Sequence, residues 1–314
     1  MGCRKGILLV LDTAMKNFFL FLSKNRTLNR AAKKWGLRFG ANRFVAGESI
    51  DEAMAKGKEL NDLGLLCTFD HLGEFVKDEP EAIDAAEFNL RTLDAIHRTG
   101  VKSTLSVKLT QMGLDISREL CIANMRNILK RAKQYDNFVR IDMEDSAHCA
   151  VTIEIFKELR REFDNVGLVL QAYLYRTEQD LRDLIPYRAN LRLVKGAYKE
   201  PPDIAFPDKK DVDANFKKLI ALSLEQGAYT AVATHDDQIL QFTKNFVKEK
   251  GIPLDRFEFQ MLYGIRTQSQ LQLVKEGYTV RVYVPYGNDW YGYFMRRLAE
   301  RPANVAFVLK GMFR

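Results

Sequence analysis

Several common kinds of chemistry lack their usual signatures in this sequence. Its 314 residues hold four cysteines and four histidines. Cys3, Cys67, Cys121 and Cys149 are scattered, with no CxxC pair and no zinc-like spacing against the histidines; this argues for a reducing compartment and against a structural metal. No Lys/Arg block is long enough to read as a nucleic-acid arm, and the formal charge of +7 is modest, so no nucleic-acid partner is expected. The same basic balance suits an anionic lipid surface or an acidic substrate. No GxGxxG follows the first apolar run and no GxxxxGK(S/T) occurs anywhere, which removes the familiar phosphate-cradling loops.

Long apolar runs are missing as well. Ile7 to Leu22 is rich in apolar residues but carries Asp12, Lys16 and Asn17, a poor bilayer span, and it does not end in a small-residue cleavage site. Met1, Gly2 and Cys3 open like an acylation signal, but Gly6 stands where myristoylation requires Ser or Thr. Residues up to about Trp35 read as helices with an apolar stripe, either docked on the protein or resting on a membrane surface. The expected division is an N-terminal helical segment over 1–62 and a catalytic domain over 63–314.

From Leu65 onward, short apolar runs alternate with helix-length amphipathic segments, the pattern of successive strand–helix units and a parallel sheet. The candidate strands are Leu65–Asp70, Ser103–Lys108, Phe138–Asp142, Gly167–Ala172, Leu191–Lys195, Tyr229–Thr234, Phe257–Met261 and Thr279–Val284. Helical segments such as Pro80–Arg98, Arg118–Gln134, Val212–Gln226 and Asp236–Lys250 separate them. Eight such units over about 250 residues predict an α/β fold of the (β/α)8 TIM-barrel type rather than a doubly wound sheet.

The C-terminal edge of nearly every strand carries a polar or ionisable residue: Asp70, Lys108, Asp142 with Glu144, Gln171, Arg192 with Lys195, Thr234 with His235, Gln260 and Tyr283. In a barrel these edges converge on one mouth, where active sites form; the opposite edges show no such gathering. Each residue alone has a plainer reading. Lys108 fits a rim lysine pointing to water, Asp142 fits a helix N-cap as well as a metal ligand or base, and His235 fits a cap region as well as a site. Arg192 lies within a strand, where a lone cation needs a partner. Gly196, in Lys195-Gly196-Ala197-Tyr198, removes a side chain where backbone approaches a ligand.

Near the end, YVPYGNDWYGYFMRRLAER places Tyr293, Arg296, Arg297 and Glu300 on a segment that reads as a helix. Adjacent guanidinium groups with a tyrosine one turn back suit a small carboxylate, because each presents a two-pronged donor fork. A solvated helix face with an Arg296–Glu300 pair is the alternative.

In chain order, LSVKLT, RIDMED, LQAYLYR, RLVKGAY, ATHD, FEFQMLYG and RVYVPYG followed by YFMRRLAER resemble the proline dehydrogenases, flavin enzymes of proline catabolism. The likeness runs from about Cys67 to the C-terminus, and RLVKGAY and the paired arginines are its most specific parts. It implies a distorted barrel holding FAD across the strand ends, with the last helix over the mouth and an earlier helix, here Ser49–Leu60, on the vacated flank. It assigns the carboxylate of L-proline to Lys108, Arg296 and Arg297, and the walls around its ring to Leu262, Tyr283 and Tyr293. Met143, Gln171, Lys195, Gly196, Ala197, Thr234 and His235 would hold the flavin. Arg192 would lie at the flavin's reactive nitrogen, Asp142 would anchor the polar network, and Glu74 would be a gate to the first arginine.

The resemblance further implies oxidation of proline to Δ1-pyrroline-5-carboxylate and transfer of electrons to a membrane quinone. That requires peripheral contact of a cytoplasmic protein with the inner face of the cell membrane. With nothing after the barrel to form an aldehyde dehydrogenase module, it looks like the stand-alone bacterial type, served by a separate pyrroline-5-carboxylate dehydrogenase. The residues alone also fit a Schiff-base lyase or aldolase using Lys108 or Lys195, or a barrel that only binds a metabolite.

Overall fold

The computed structural model describes residues 41–73 and 76–300. Eight parallel strands close into a barrel in chain order: β1 (Leu66–His71), β2 (Ser103–Val107), β3 (Val139–Ile141), β4 (Val166–Gln171), β5 (Asn190–Val194), β6 (Thr230–Ala233), β7 (Phe257–Leu262) and β8 (Val280–Tyr286). The ring is sealed by β8 pairing with β1 over six residues, from Leu66 opposite Arg281 to His71 opposite Tyr286.

Around it run α1 (Ile50–Asp62), α2 (Glu79–Thr99), α3 (Arg118–Gln134), α4 (Ser146–Glu162), α5 (Thr177–Leu184), α6 (Lys209–Glu225), α7 (Asp237–Glu249), α8 (Thr267–Lys275) and α9 (Trp290–Glu300). Their starts are locally encoded. Ser49 and Glu52 form a reciprocal capping box on α1, Asp78 caps α2 with Pro80 in its first turn, and Asp145 caps α4; each satisfies backbone N–H groups that a helix N-terminus leaves orphaned. The expected strands and helices lie within a few residues of those observed. The vacated flank is filled as expected, because α1 packs on β1 and β8.

Strand alternation sends one set of side chains to the helices and the other into the barrel. The outward set, including Phe69, Leu105, Ile141, Leu168, Leu193, Phe259 and Val282, joins the inner faces of the helices in one apolar core. The interior is unusually polar for such a barrel, where branched aliphatic side chains are the norm. Below the mouth, the expectation that the opposite end shows no gathering is wrong. Arg281 Nε donates to Glu258 at 2.9 and 3.1 Å, the Tyr229 hydroxyl donates to Glu258 at 3.1 Å, and Arg140 donates to Asn190 Oδ1 and O at 2.6 and 2.7 Å. These residues begin or interrupt strands singly, and only barrel closure brings them together.

A second apolar cluster roofs one end. Trp290, Tyr291, Tyr293, Phe294, Met295 and Leu298 of α9 pack with Ala41, Phe44 and Val45, with Leu72 just past β1, and with Leu262 and Ile265 at the end of β7. The contacts at β1 and β7 lie at strand C-termini. The last helix therefore sits over the mouth rather than beside β8, as the resemblance implied.

Candidate active site

Asp142, one residue beyond β3, is the hub under this roof. It is 8% exposed and caps no helix; that task falls to Asp145. Its Oδ1 accepts a 2.7 Å hydrogen bond from Arg192 on β5, and its Oδ2 accepts one of 2.7 Å from the Tyr283 hydroxyl on β8. Lys108 Nζ stands 3.8 Å from the same Oδ2. Arg192 is thus the strand cation whose required partner lies across the barrel. It also donates to Ser106 at 3.0 Å and lies 5.2 Å from the Tyr283 ring centroid. Burial, then the carboxylates of Asp142 and Asp70, push the Tyr283 pKa well above its ordinary value, which keeps this hydroxyl a donor.

Lys108 does not point to water. It is 8% exposed, and its ammonium is held by both oxygens of Asp70 at 2.9 and 3.0 Å. The remaining acids of RIDMED separate: Glu144 accepts from the Thr110 N–H at 3.1 Å and from its hydroxyl at 2.5 Å. No group of carboxylates, histidines and cysteines among the described residues has the geometry of a metal site.

A second cluster forms at the ends of β5 and β6. Lys195 Nζ lies 2.5 Å from Asp213 and 2.8 Å from Asp236, and the Asp236 N–H donates to Thr234 Oγ1 at 3.1 Å. Burial alone would raise the Asp236 pKa, but the hydrogen bonds from Lys195, the Gln238 N–H and Lys209, with the Lys195 charge, together outweigh it and bring the carboxyl down to about 2. Gly196 has φ +121°, and a Cβ there would fall 2.2 Å from the Tyr173 ring. The protein itself, independent of any ligand, thus demands glycine at this position. His235 Nε2 accepts from the Leu262 N–H at 3.0 Å, joining two of the expected residues. Gln171 donates to Glu144 O at 2.7 Å, Met143 is buried beside Asp142, and Ala197 is exposed.

Lys108, Asp142, Arg192 and Tyr283 therefore share one network, whereas Lys195 and Thr234 belong to another. Arg297 is buried on α9, its guanidinium 5.0 Å from the Tyr293 ring centroid, and Arg296 beside it is partly exposed. Glu74 lies outside the described residues. Ser106, Asp213 and Tyr173 were not anticipated. Ser106 had a usable signal, since it lies two residues before Lys108 and so shares its face; the other two emerge only from packing.

Residues 53–310 match the sequence profile of the family described as proline dehydrogenase. The chain is 54% identical over 300 residues to Proline dehydrogenase 1 of Bacillus subtilis (strain 168), covering 96% of this chain and 99% of that protein. It is 46% identical to Proline dehydrogenase of Deinococcus radiodurans, covering 90% and 92% respectively. Among solved structures, proline utilization A from Bdellovibrio bacteriovorus, inactivated by N-propargylglycine, superposes with a TM-score of 0.78 at 27% identity, over 83% of this chain and 32% of that longer one. Profile, near full-length relatives and barrel agree: the chain belongs to the proline dehydrogenase family.

Proposed function

We propose that the chain oxidises L-proline to Δ1-pyrroline-5-carboxylate with FAD as its bound cofactor and a membrane quinone as the final acceptor, the first step in degrading proline to glutamate. The observation that carries this reading is the buried Lys108–Asp142–Arg192–Tyr283 network beneath a helix bearing Arg296 and Arg297. Lys108 and the two arginines receive the proline carboxylate, with Leu262, Tyr283 and Tyr293 around the ring. Fixing the carboxylate with three cations orients the ring, and such positioning contributes several kcal/mol to barrier lowering.

The residues present fit a flavin. Arg192 Nε and Gln260 Oε1 are buried without a hydrogen-bond partner, a donor and an acceptor of the kind a heterocycle satisfies. Met143, Gln171, Lys195, Gly196, Ala197, Thr234 and His235 line the neighbouring strand ends and would hold FAD. When bound, it supplies a two-electron acceptor for the hydride from the proline ring carbon next to nitrogen. Asp142 holds Arg192 and Tyr283 in place, and Arg192 provides a fixed cation where negative charge accumulates. The ring ammonium of proline loses one proton to solvent before the hydride leaves, and the iminium so formed loses a second to give the neutral ring C=N of the product.

A separate pyrroline-5-carboxylate dehydrogenase would consume that product. No helix among the described residues is long and apolar enough to cross a membrane. The proposed quinone would be met by peripheral contact at the inner face of the cell membrane. The Schiff-base alternative requires an isolated, desolvated amine, whereas Lys108 and Lys195 each engage two carboxylates.

Anaerobic addition of proline is expected to bleach the flavin band of the purified protein. Arg296→Met should raise the proline requirement at least tenfold with flavin retained. Arg192→Met should slow flavin reduction more than it weakens proline binding. If both variants titrate like the parent, the role assignment fails.

A further inference from the structure

Asp70 and His71 end β1 on opposite faces. Asp70 turns into the barrel toward Lys108, while His71 turns outward and lies flat on Phe88 of α2, ring centroids 3.7 Å apart at 15°. Tyr286, the last residue of β8, leans on the same imidazole at 5.6 Å. Gln111 reaches it from a third side, donating to His71 O at 3.2 Å with the same nitrogen 3.5 Å from Nδ1. The fourth side is covered by backbone. Gly287, between β8 and α9, passes so close that a Cβ there would lie 2.8 Å from His71 Cδ2 and 3.1 Å from Nε2.

This stretch is the root of the roof helix. Tyr286 O accepts from the Leu72 N–H at 2.8 Å, the Gly287 N–H donates to Gly47 O at 2.9 Å, and Pro285 O accepts from the Ala46 N–H at 2.9 Å. Trp290, the first residue of α9, donates to Glu48 at 2.9 Å. Leu72, next to His71, is part of the cluster on which α9 rests. The His71 ring is thus the hard stop between the end of β1 and the point where the chain leaves β8 for the roof. Arg296 lies six residues into α9, about 9 Å along its axis, so a small change at the root is carried to the paired arginines.

We propose that His71 is a positioning residue: its ring, wedged between Phe88 and the backbone of Gly287, sets where α9 holds Arg296 and Arg297 over the barrel mouth. This inference rests on the reading that those arginines bind proline. The imidazole acts by its shape rather than its charge. Burial, aided by Lys108 and Arg91 against the opposing pull of Asp70 and Asp289, brings its pKa down to about 4, so it is neutral at physiological pH.

The test is a double-variant cycle in the purified flavoprotein, reading proline KM, kcat and thermal midpoint. His71→Ala should raise KM at least tenfold with kcat at saturating proline within about twofold, and His71→Met, which refills the slot, should recover most of that loss. Gly287→Ala should raise KM in the parent by at least about threefold more than in the His71→Ala background, where the ring it strikes is gone and only the backbone strain of its φ of +115° remains. Equal Gly287→Ala effects in both backgrounds would overturn the proposal, as would a lowered midpoint or kcat with KM unmoved. If His71→Ala does not fold, an unchanged KM in Gly287→Ala overturns it just as well. Arg296→Met separates the two readings: if it raises KM while His71→Ala and Gly287→Ala do not, only the positioning role fails.

Discussion

Replacing Asp70 with asparagine removes one charge from a pair inside the barrel while keeping the side chain's shape. At 2.9 Å, with an effective dielectric of about 20, the Asp70–Lys108 attraction is about 6 kcal/mol, and that of Asp142 for the same ammonium at 3.8 Å is about 4 kcal/mol. Both partners are nearly out of water, so desolvation offsets much of this, and the measurable quantity is the cost of stranding one partner, about 3–5 kcal/mol. Asparagine still offers Lys108 one acceptor and Asp142 remains, which puts Asp70→Asn at the lower end, about 3 kcal/mol, or about 5 °C in thermal midpoint for a chain of this size. Urea unfolding of Asp70→Asn, Lys108→Met and the double variant measures it. The double variant should cost at least about 2 kcal/mol less than the sum of the singles, because it strands neither charge. Proline KM should rise in Asp70→Asn as Lys108 loses its anchor. Additivity within about 0.5 kcal/mol would refute the reasoning.

Three further outcomes are expected. Arg281→Met should destabilise by about 3–5 kcal/mol in chemical denaturation, since it leaves Glu258, 1% exposed, as an uncompensated carboxylate in the lower barrel. His148 lies between Asp145 at 2.5 Å and Asp115 at 2.8 Å; burial alone would lower its pKa, but the two carboxylates outweigh it and raise it above its ordinary value. Its stabilisation is therefore full below the unfolded imidazole pKa of about 6.5 and lost as pH rises through the raised folded value. Thermal midpoints of His148→Asn and parent should differ near pH 5.5 and converge near pH 9. Burial pushes the thiols of Cys67 and Cys121 up to about 12 and that of Cys149 to about 11, so these three should react with a thiol reagent at neutral pH only after denaturation.

The barrel was legible because its code is local. Eight apolar runs with helix-length spacers each declare themselves within a few residues. The mouth was legible for a related reason: parallel strands with right-handed crossovers put every C-terminal edge on one side, so Asp142 and Arg192 could be assembled without knowing their distance. What the sequence hides is pairing. Lys108 looked like a solvated rim residue because nothing nearby in the chain shows that Asp70 would hold it across two strands. The ionic layer of Arg140, Glu258 and Arg281 stayed invisible because its members lie singly within three different strands, with Arg140 more than a hundred residues from the other two. Gly196 was read as room for a ligand, yet the ring of Tyr173 fills that room.

The seam between β1 and β8 has a consequence for how the molecule comes to exist. β1 is synthesised more than two hundred residues before its neighbour, so throughout translation one border of the nascent sheet carries unmatched amide and carbonyl groups, an invitation to aggregation. The segment that finally covers that border leads straight into α9. Protection from self-association and completion of the roof thus arrive in a single late event, and an unfinished chain exposes its border and lacks a ceiling at the same time.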